Sequence, residues 1–259
     1  MLIDFLEKVK EKKIEEIKRL KSKRSKFKKS KFKAPSLSSG IRLCKDVPII
    51  AEIKRGSPSL GIIKSDISIP YLVSEFEKAG VCGISVITDS NFFFANIDFL
   101  YQIKDVVLPV LRKDFILDPI QIEETASTCA SSVLIIVRFV KDEKILKELI
   151  DCSLSLDIEP VVEVFDEKDL EIAKKLKSHL ILVNNRDLST LKVDLKRSKE
   201  LIKHKEDNEI WISASGLKSY LEIKELQDMG FDAFLIGTSI MRSSSPYKFI
   251  KSLKGEKEI

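Results

Sequence analysis

The chain lacks the residues on which several large classes of protein depend. Its four cysteines form no CxxC pair and have no histidine at ligand spacing, which argues against a Cys/His zinc site. Only His179 and His204 occur, and neither lies near a nucleophile motif, so a Ser/His or Cys/His triad is disfavoured. No GxG or GxxxxGK segment is present, which excludes the dinucleotide-binding fingerprint and the P-loop. We therefore expect neither a metal nor a cofactor.

Long apolar runs are missing as well. No segment reaches the roughly 18 consecutive apolar residues of a membrane span, and the N-terminus has no apolar signal core. Cys44, Cys82, Cys129 and Cys152 are then interpreted as thiols in a reducing compartment, which predicts a cytoplasmic protein. A length of 259 residues, 44% of them hydrophobic, is sufficient for one large α/β barrel or two small domains.

Positive charge is concentrated at the N-terminus. The chain has 45 Lys and Arg residues and 40 Asp and Glu residues. Residues 1–34 contain 14 of the basic and 5 of the acidic ones, so the rest of the chain is mildly acidic. An amphipathic helix is predicted from Met1 to about Leu20, on the apolar positions Leu2, Ile3, Leu6, Val9, Ile14, Ile17 and Leu20. Residues 18–33 then carry ten basic and no acidic residues, and 34–40 are predicted as an irregular connector.

The basic run allows two interpretations. It could bind a nucleic acid, although Phe27 and Phe32 are its only stacking candidates and it contains no recognition motif. The alternative is a solvated helix face followed by a connector. We favour the alternative and expect neither a nucleic acid nor a membrane as partner.

Short apolar runs alternate with helical patterns over the rest of the chain. Strands are predicted at 48–53, 83–88, 108–112, 132–137, 160–164, 180–183, 210–213 and 232–236. Helices are predicted at 71–79, 97–104, 119–129, 143–154, 167–176, 195–203, 218–229 and 246–253. Near-continuous apolar strands indicate a parallel sheet that is covered on its outside. Eight strand–helix units of this kind close into a (β/α)8 TIM barrel of the α/β class. A doubly wound open sheet is the alternative fold.

We expect a single domain over residues 1–259. Its barrel would occupy 48–255, and 1–40 would form an additional N-terminal helical extension with the basic connector. In a TIM barrel the active site lies at the carboxyl ends of the strands, so functional side chains are expected at those positions.

Polar side chains occur at the carboxyl ends of four predicted strands. Glu52 and Lys54 end the first strand and face the same way, while Lys113, Glu163 and Asn184 end the third, fifth and sixth. Each one alone could be a solvated strand end or part of a structural ion pair. Together they favour an active site, because charges in a low-dielectric barrel mouth are costly unless they serve each other or a ligand.

Small residues follow the last two predicted strands. They are Ser215, Gly216, Gly237, Thr238 and Ser239. Glycines let backbone N–H groups approach an anion, and a short helix can direct its N-terminus at it, as in the phosphate sites of many barrels. Turns that only cap helices are the alternative. With Lys54 and Ser57 after the first strand, the pattern favours a phosphorylated small molecule as ligand.

Several segments resemble the indole-3-glycerol phosphate synthase family. They are AEIKRGSPS from Ala51, SVITD from Ser85 with Phe92 and Phe93, VLRKDFI from Val110, VEV from Val162, NNRDL from Asn184 and LIGTSIMR from Leu235. The resemblance covers nearly the whole chain, including the N-terminal extension. It implies a lyase of tryptophan biosynthesis that converts 1-(2-carboxyphenylamino)-1-deoxyribulose 5-phosphate to indole-3-glycerol phosphate with loss of carbon dioxide and water.

The resemblance also implies a role for each site residue. Lys113 corresponds to the general acid of ring closure, Glu163 to the base, Lys54 to a substrate-binding residue that can protonate the leaving hydroxyl, and Glu52 to the group that orients Lys54. The implied substrate contacts are Asn184, Arg186 and Ser215, with the apolar ring walls Phe93, Phe115, Leu134 and Leu188. The implied phosphate contacts are Lys54, Ser57, Gly216, Gly237 and Thr238. The division of the acid roles between the two lysines stays open, and we expect a monomer or a weak homodimer.

One position departs from the family pattern. The family usually has Ser-Glu-Ser-Gly at the end of the seventh strand, whereas this chain has SASG from Ser213, so that Ala214 replaces a carboxylate and deprives Arg186 of a partner. We expect a competent fold and phosphate site with reduced or redirected turnover. A phosphate-binding barrel with weakened or altered activity is therefore the alternative function.

Overall fold

The protein is built around a closed barrel of parallel strands. The computed structural model describes residues 5–32, 34–66, 68–188 and 190–256. The barrel strands, numbered β1 to β8, are Ile49–Ile53, Gly83–Ile87, Val110–Lys113, Ser132–Ile136, Glu159–Val164, Leu180–Asn184, Ile210–Ala214 and Ala233–Ile236. Each strand pairs in parallel with the next, and β8 pairs with β1, Leu235 opposite Ile50. The predicted TIM barrel is confirmed, and the open sheet is excluded by the pairing of β1 with β8.

Helices surround the barrel. Numbered α1 to α12, they are Phe5–Ser22, Leu37–Leu43, Ile69–Lys78, Asp98–Tyr101, Pro119–Ala126, Val137–Val140, Glu143–Ser155, Glu167–Lys175, Lys196–Leu201, Tyr220–Asp228, Thr238–Arg242 and Pro246–Leu253, with 3-10 turns at Arg24–Lys26 and Ile202–His204. All the predicted helices are present in order, whereas α2, α6 and α11 were not predicted. The helix predicted at 97–104 was too long, since α4 ends at Tyr101. The buried Ile103 and Val106 continue its apolar spacing through turns.

Successive residues of each strand pack on opposite sides of the barrel wall. In β4, Leu134 and Ile136 belong to the cluster that fills the barrel, whereas Val133 and Ile135 belong to the cluster beneath the outer helices. Both faces of a closed parallel barrel are buried, and this explains why its strands are nearly continuous apolar runs.

Helix α1 packs on the barrel through a buried stripe that contains a charged residue. The buried residues are Leu6, Val9, Lys13, Ile17 and Leu20. The prediction of Ile14 in this stripe was wrong, because Ile14 is 44% exposed and Lys13 only 1%. Lys13 continues the three- and four-residue spacing of its buried neighbours, and Ile14 lies beside that line. Leu2 and Ile3, the first residues of the predicted stripe, lie outside the described residues.

The segment predicted as an irregular connector contains a helix. Ser36 caps α2, its Oγ accepting a hydrogen bond from the backbone N–H of Ser39 at 3.3 Å. Leu37 and Ile41 are buried on one side of this helix, and Leu37 lies against the amino end of β2. The prediction for 34–40 was therefore wrong, because the serines that looked like loop residues act as a helix start.

The basic run lies on the outside of the molecule. Its described Lys and Arg side chains are all exposed. Three of them pair with acidic residues of the barrel: Lys21 with Asp118, Arg24 with Glu123 and Lys29 with Asp157. Lys33 lies outside the described residues. This placement agrees with a solvated surface segment.

A small hairpin follows β1 at the mouth of the barrel. Its strands, Gly56–Ser57 and Gly61–Ile62, are antiparallel. Arg55 braces the loop by donating from Nε and Nη2 to the Ser65 carbonyl, at 3.1 and 2.7 Å. Over the described part of the chain, no helix combines the length and apolar character needed to cross a bilayer.

Candidate active site

A cavity of about 420 Å³ opens at the carboxyl ends of the strands, where the sequence predicts the active site. Most predicted site residues line it: Glu52, Lys54, Ser57, Phe93, Lys113, Asn184, Arg186, Leu188, Ser215, Gly216, Gly237 and Thr238. Glu163, Phe115 and Leu134 lie behind its lining. Glu163 is hydrogen-bonded to Asn184, while Phe115 and Leu134 belong to the apolar cluster against which Phe93 and Leu188 pack.

Glu52 lies between two lysines. Its Oε1 is 2.6 Å from Lys54 Nζ, and its Oε2 is 3.6 Å from Lys113 Nζ. Burial alone would raise the pKa of Glu52, but the two ammonium groups outweigh this effect and hold the pKa below its usual range. Glu52 is therefore ionised, and it links the two cations that the sequence predicts as proton donors.

The two lysines differ in their surroundings. Burial lowers the pKa of Lys54; the Glu52 carboxylate opposes this effect, and the positive charge of Lys113 reinforces it. A lowered pKa makes an ammonium group a better proton donor near neutral pH. Among the described residues, the only ion pair of Lys113 is the long contact to Glu52, and its side chain is 20% exposed. The ammonium of Lys113 is thus accessible to a ligand.

Glu163 is a buried carboxylate with one free oxygen. Its Oε1 accepts a hydrogen bond from Asn184 Nδ2 at 3.0 Å, whereas Oε2 has no hydrogen-bond partner in the described part of the chain. Burial raises the pKa of Glu163, although the charge of Lys113 and the Asn184 hydrogen bond oppose the shift. A carboxylate with a raised pKa and a free oxygen suits a general base.

The amide of Asn184 is held in one orientation. Its side-chain oxygen accepts hydrogen bonds from Ser215 Oγ at 2.9 Å and from the Arg186 backbone N–H at 3.0 Å. Its NH2 group must then point at Glu163. One asparagine therefore connects the end of β5 to the turns that follow β6 and β7.

Arg186 lines the cavity without a carboxylate partner among the described residues. Its Nη1 donates to the Leu191 carbonyl at 2.8 Å. Burial lowers the pKa of Arg186, and the charge of Glu52 opposes the shift. Ala214 ends β7 and lines the same cavity. The structure thus agrees with the expectation that Ala214 leaves Arg186 without a carboxylate there.

Two turns that require glycine form the side of the cavity at β7 and β8. At Gly216 the backbone is left-handed, with φ +90°, and an added Cβ would come within 2.5 Å of Val193. At Gly237 an added Cβ would collide with the Glu52 carboxylate, so only glycine leaves room for Glu52 between the lysines. Thr238 begins the short helix α11, which is not among the predicted helices. Within the described ranges, no three His, Cys, Asp or Glu side chains are grouped so that they could hold a metal ion.

Sequence relatives decide the family. A profile described as indole-3-glycerol phosphate synthase matches residues 6–253. The chain belongs to this family. The indole-3-glycerol phosphate synthase of Acetivibrio thermocellus is 40% identical over 210 residues, which cover 81% of this chain and 80% of that protein. The same enzyme of Aquifex aeolicus is 42% identical over 210 residues, which cover 80% of this chain and 81% of the relative.

Solved structures of more distant proteins share the fold of this synthase-family member. A 3-hexulose-6-phosphate synthase from Salmonella typhimurium matches with a TM-score of 0.61 at 12% identity, over 81% of this chain and 97% of that one. An N-acetylmannosamine-6-phosphate 2-epimerase from Clostridium perfringens matches with a TM-score of 0.58 at 15% identity, over 82% and 93%. At such low identity the likeness shows the TIM barrel alone.

The N-terminal helix of this synthase-family chain contributes a site residue that sequence reasoning missed. Phe5 lines the cavity, and its ring lies edge-on to Phe92 at 5.2 Å and to Phe115 at 6.3 Å. The prediction placed α1 against the barrel but assigned none of its residues to the site. The available signal was an aromatic residue at the start of an amphipathic helix, which packing in the core explains equally well.

Proposed function

We propose that the chain is an indole-3-glycerol phosphate synthase, the carboxy-lyase of tryptophan biosynthesis. The family match and relatives at 40% and 42% identity support this activity. The observation that carries the assignment of roles is the pair of lysines held on Glu52, together with the buried base Glu163. Acids and a base in one cavity are what a ring closure followed by a dehydration needs.

Lys113 acts as the general acid of ring closure. In this step a bond forms between the ring carbon that bears the carboxylate and the ketone carbon of the sugar chain. The ketone oxygen gains an electron pair and takes a proton, which the accessible ammonium of Lys113 donates. Carbon dioxide then leaves, and the electron pair of the broken bond restores the aromatic ring.

Lys54 and Glu163 act in the loss of water. The hydroxyl on the former ketone carbon leaves as water after taking a proton, and Lys54, with its lowered pKa, is suited to supply it. A second proton leaves the neighbouring carbon, and Oε2 of Glu163 is free to accept it. Glu52 holds Lys54 in place through the 2.6 Å contact.

The cavity binds the substrate in a folded conformation. The phosphate lies against Ser57, Gly216, Gly237 and Thr238, with Lys54 nearby. The aromatic ring lies against Phe93 and Leu188, with Phe115 and Leu134 behind them, while Asn184, Arg186 and Ser215 contact polar groups. Fixing a flexible chain in the reactive geometry lowers the entropy cost of ring closure.

The remaining expectations concern the setting of the enzyme. We propose that it acts in the cytoplasm as a monomer or weak homodimer and needs only its phosphorylated substrate. The described cysteines are all free, which suits a reducing compartment.

A product assay tests the proposed function. The purified chain is mixed with 1-(2-carboxyphenylamino)-1-deoxyribulose 5-phosphate, and indole fluorescence is recorded over time. We expect fluorescence to rise and inorganic phosphate to inhibit competitively. Absence of an indole product would contradict the assignment.

Ala214 supplies a prediction about rate. Ala214→Glu places a carboxylate near Arg186, and we expect kcat/KM to rise by roughly tenfold, the scale of one charged hydrogen bond. Ala214→Gln has nearly the same size without the charge and should gain less. An unchanged or lower kcat/KM in Ala214→Glu would show that the alanine does not limit turnover.

A further inference from the structure

A buried ionic cluster joins α1 to the barrel just outside the cavity. Its centre is Lys13, whose Nζ lies 2.6 Å from Asp114 Oδ1, 2.9 Å from Glu16 Oε2 and 3.2 Å from Asp89 Oδ2. Burial alone would lower the pKa of Lys13, but the three carboxylates outweigh this effect and hold the pKa above its usual range. Lys13 is therefore a charged residue at a helix position that an apolar residue would normally occupy.

The two barrel carboxylates of this cluster begin loops that carry site residues. Asp89 follows β2, and its Oδ1 accepts hydrogen bonds from the backbone N–H groups of Phe92 and Phe93 at 2.7 and 3.2 Å. Asp114 follows Lys113 directly, and its Oδ1 also accepts from the Phe115 backbone N–H at 2.8 Å. One ammonium group thus holds together the turns after β2 and β3.

Lys113 itself is weakly held by its side chain. Its one ion pair in the described ranges is the 3.6 Å contact to Glu52. The position of its ammonium therefore depends on the backbone at the end of β3, and the next residue, Asp114, is the one that Lys13 fixes. Helix α1 also reaches the site directly through Phe5, about 12 Å from Lys13 at the rise of an α-helix.

We propose that Lys13 is a positioning residue for Lys113. Acting through Asp114, it fixes the end of β3 so that the Lys113 ammonium stays directed at the reacting carbonyl. This inference rests on the proposed role of Lys113 as general acid. A misplacement of about 1 Å far from the reacting atoms can cost on the order of 100-fold in rate, so a residue outside the cavity can control the chemical step.

Two variants and a control test the proposal. Lys13→Met removes the charge at similar length, Lys13→Arg keeps the charge but moves it, and Lys12→Met alters the neighbouring exposed lysine, whose contact is Glu15. For each we would measure the melting temperature, the KM, the inhibition constant of inorganic phosphate, and the single-turnover rate of indole formation well below the melting temperature.

We expect the single-turnover rate to fall 10- to 100-fold in Lys13→Met and three- to fivefold in Lys13→Arg. The KM and the phosphate inhibition constant should stay within twofold, because the phosphate turns follow β7 and β8 on other strands. Lys12→Met should match the unmodified chain in every measurement.

Three results would overturn the proposal. A lower melting temperature with an unchanged single-turnover rate would make Lys13 a structural anchor only. A parallel rise in KM and in the phosphate constant would mean that α1 undocks as a whole. If Lys13→Met does not fold, Lys13→Arg decides, and an unaltered rate there rejects the proposal. An unmodified chain that forms no indole product would reject the proposed function itself, and the role of Lys13 with it.

Discussion

The charged side chains on the two faces of β3 differ in their exposure and in their ion pairing. On the face towards the cavity, Lys113 is 20% exposed and has one long contact to Glu52. On the outer face, Arg112 and Asp114 are 1% exposed and fully paired. Arg112 contacts Asp114 and Glu124 at 3.1 and 2.9 Å. Its remaining donors reach Thr88 Oγ1, the Gln121 carbonyl and Thr125 Oγ1. On β3, therefore, the fully paired charges lie on the outer face, and the charge with one long contact lies towards the cavity.

Two buried carboxylates show the same difference through their pKa values. Burial would raise the pKa of both. At Asp114 the cations Lys13 and Arg112 reverse the effect and hold the pKa well below its usual range. At Glu163 burial prevails over the charge of Lys113 and the Asn184 hydrogen bond and raises the pKa. Its Oε2 has no hydrogen-bond partner in the described part of the chain. Asp114 and Glu163 are both buried, so the opposite shifts of their pKa values reflect the two cations that contact Asp114.

The largest effect on activity is expected at the inner face. Lys113→Ala removes the proposed acid, and we expect kcat to fall by about 10³- to 10⁴-fold, the upper range for loss of general acid catalysis. The melting temperature should change little, because the one ion pair of this side chain among the described residues is long. Steady-state kinetics and a thermal scan of the same preparation test both parts. Near-normal product formation would reject Lys113 as the acid.

The largest effect on stability is expected at the outer face. Arg112→Met removes the one ion pair that Glu124 makes among the described residues and leaves Asp114 with Lys13 alone, and breaking a buried pair in this way costs about 3–5 kcal/mol. Urea unfolding should show a lower midpoint at an unchanged slope. Arg19→Met is the control, since Arg19 is 71% exposed and its contact to Glu15 is 4.0 Å long. Equal losses in both variants would contradict the contrast between the faces of β3.

The barrel and the inner face could be predicted from the sequence because they follow local rules. Branched apolar runs of strand length gave all eight strands, and alternation placed Glu52 and Lys113 on the inner face at strand ends.

The outer network could not be predicted because its partners are distant in sequence. Lys13 pairs with Asp89 and Asp114, and no local pattern connects these residues. Lys13 fits the three- and four-residue spacing and Ile14 lies beside it, but the prediction chose Ile14 because it is hydrophobic. Likewise, the sequence could not distinguish a ring wall that lines the cavity, such as Phe93, from Leu134 in the barrel interior.

The raised pKa of Glu163 predicts a pH dependence of activity. A base must be unprotonated, so kcat/KM should fall about tenfold per pH unit below this pKa, beginning above the usual glutamate value of about 4.3. Asn184→Leu removes the hydrogen bond that opposes the shift, so the acidic limb should move to higher pH even if the plateau drops. A pH profile of both proteins measures the limb. A limb that stays in place or moves to lower pH would contradict the role of Glu163.

The smallest effect on stability is expected at an ion pair that is exposed to solvent. Lys12 contacts Glu15 at 3.2 Å, but the two side chains are 48% and 54% exposed. Lys12→Met should therefore change the free energy of unfolding by less than about 0.5 kcal/mol, since exposed ion pairs gain little over solvation. Lys13→Met, one residue further on, should lose several times more, because the buried Asp89 loses its cation and the buried Asp114 keeps only Arg112. Urea unfolding of the two variants compares adjacent lysines on one helix. Similar losses of unfolding free energy in the two variants would mean that these lysines stabilise the protein through helix formation and not through burial of their ion pairs.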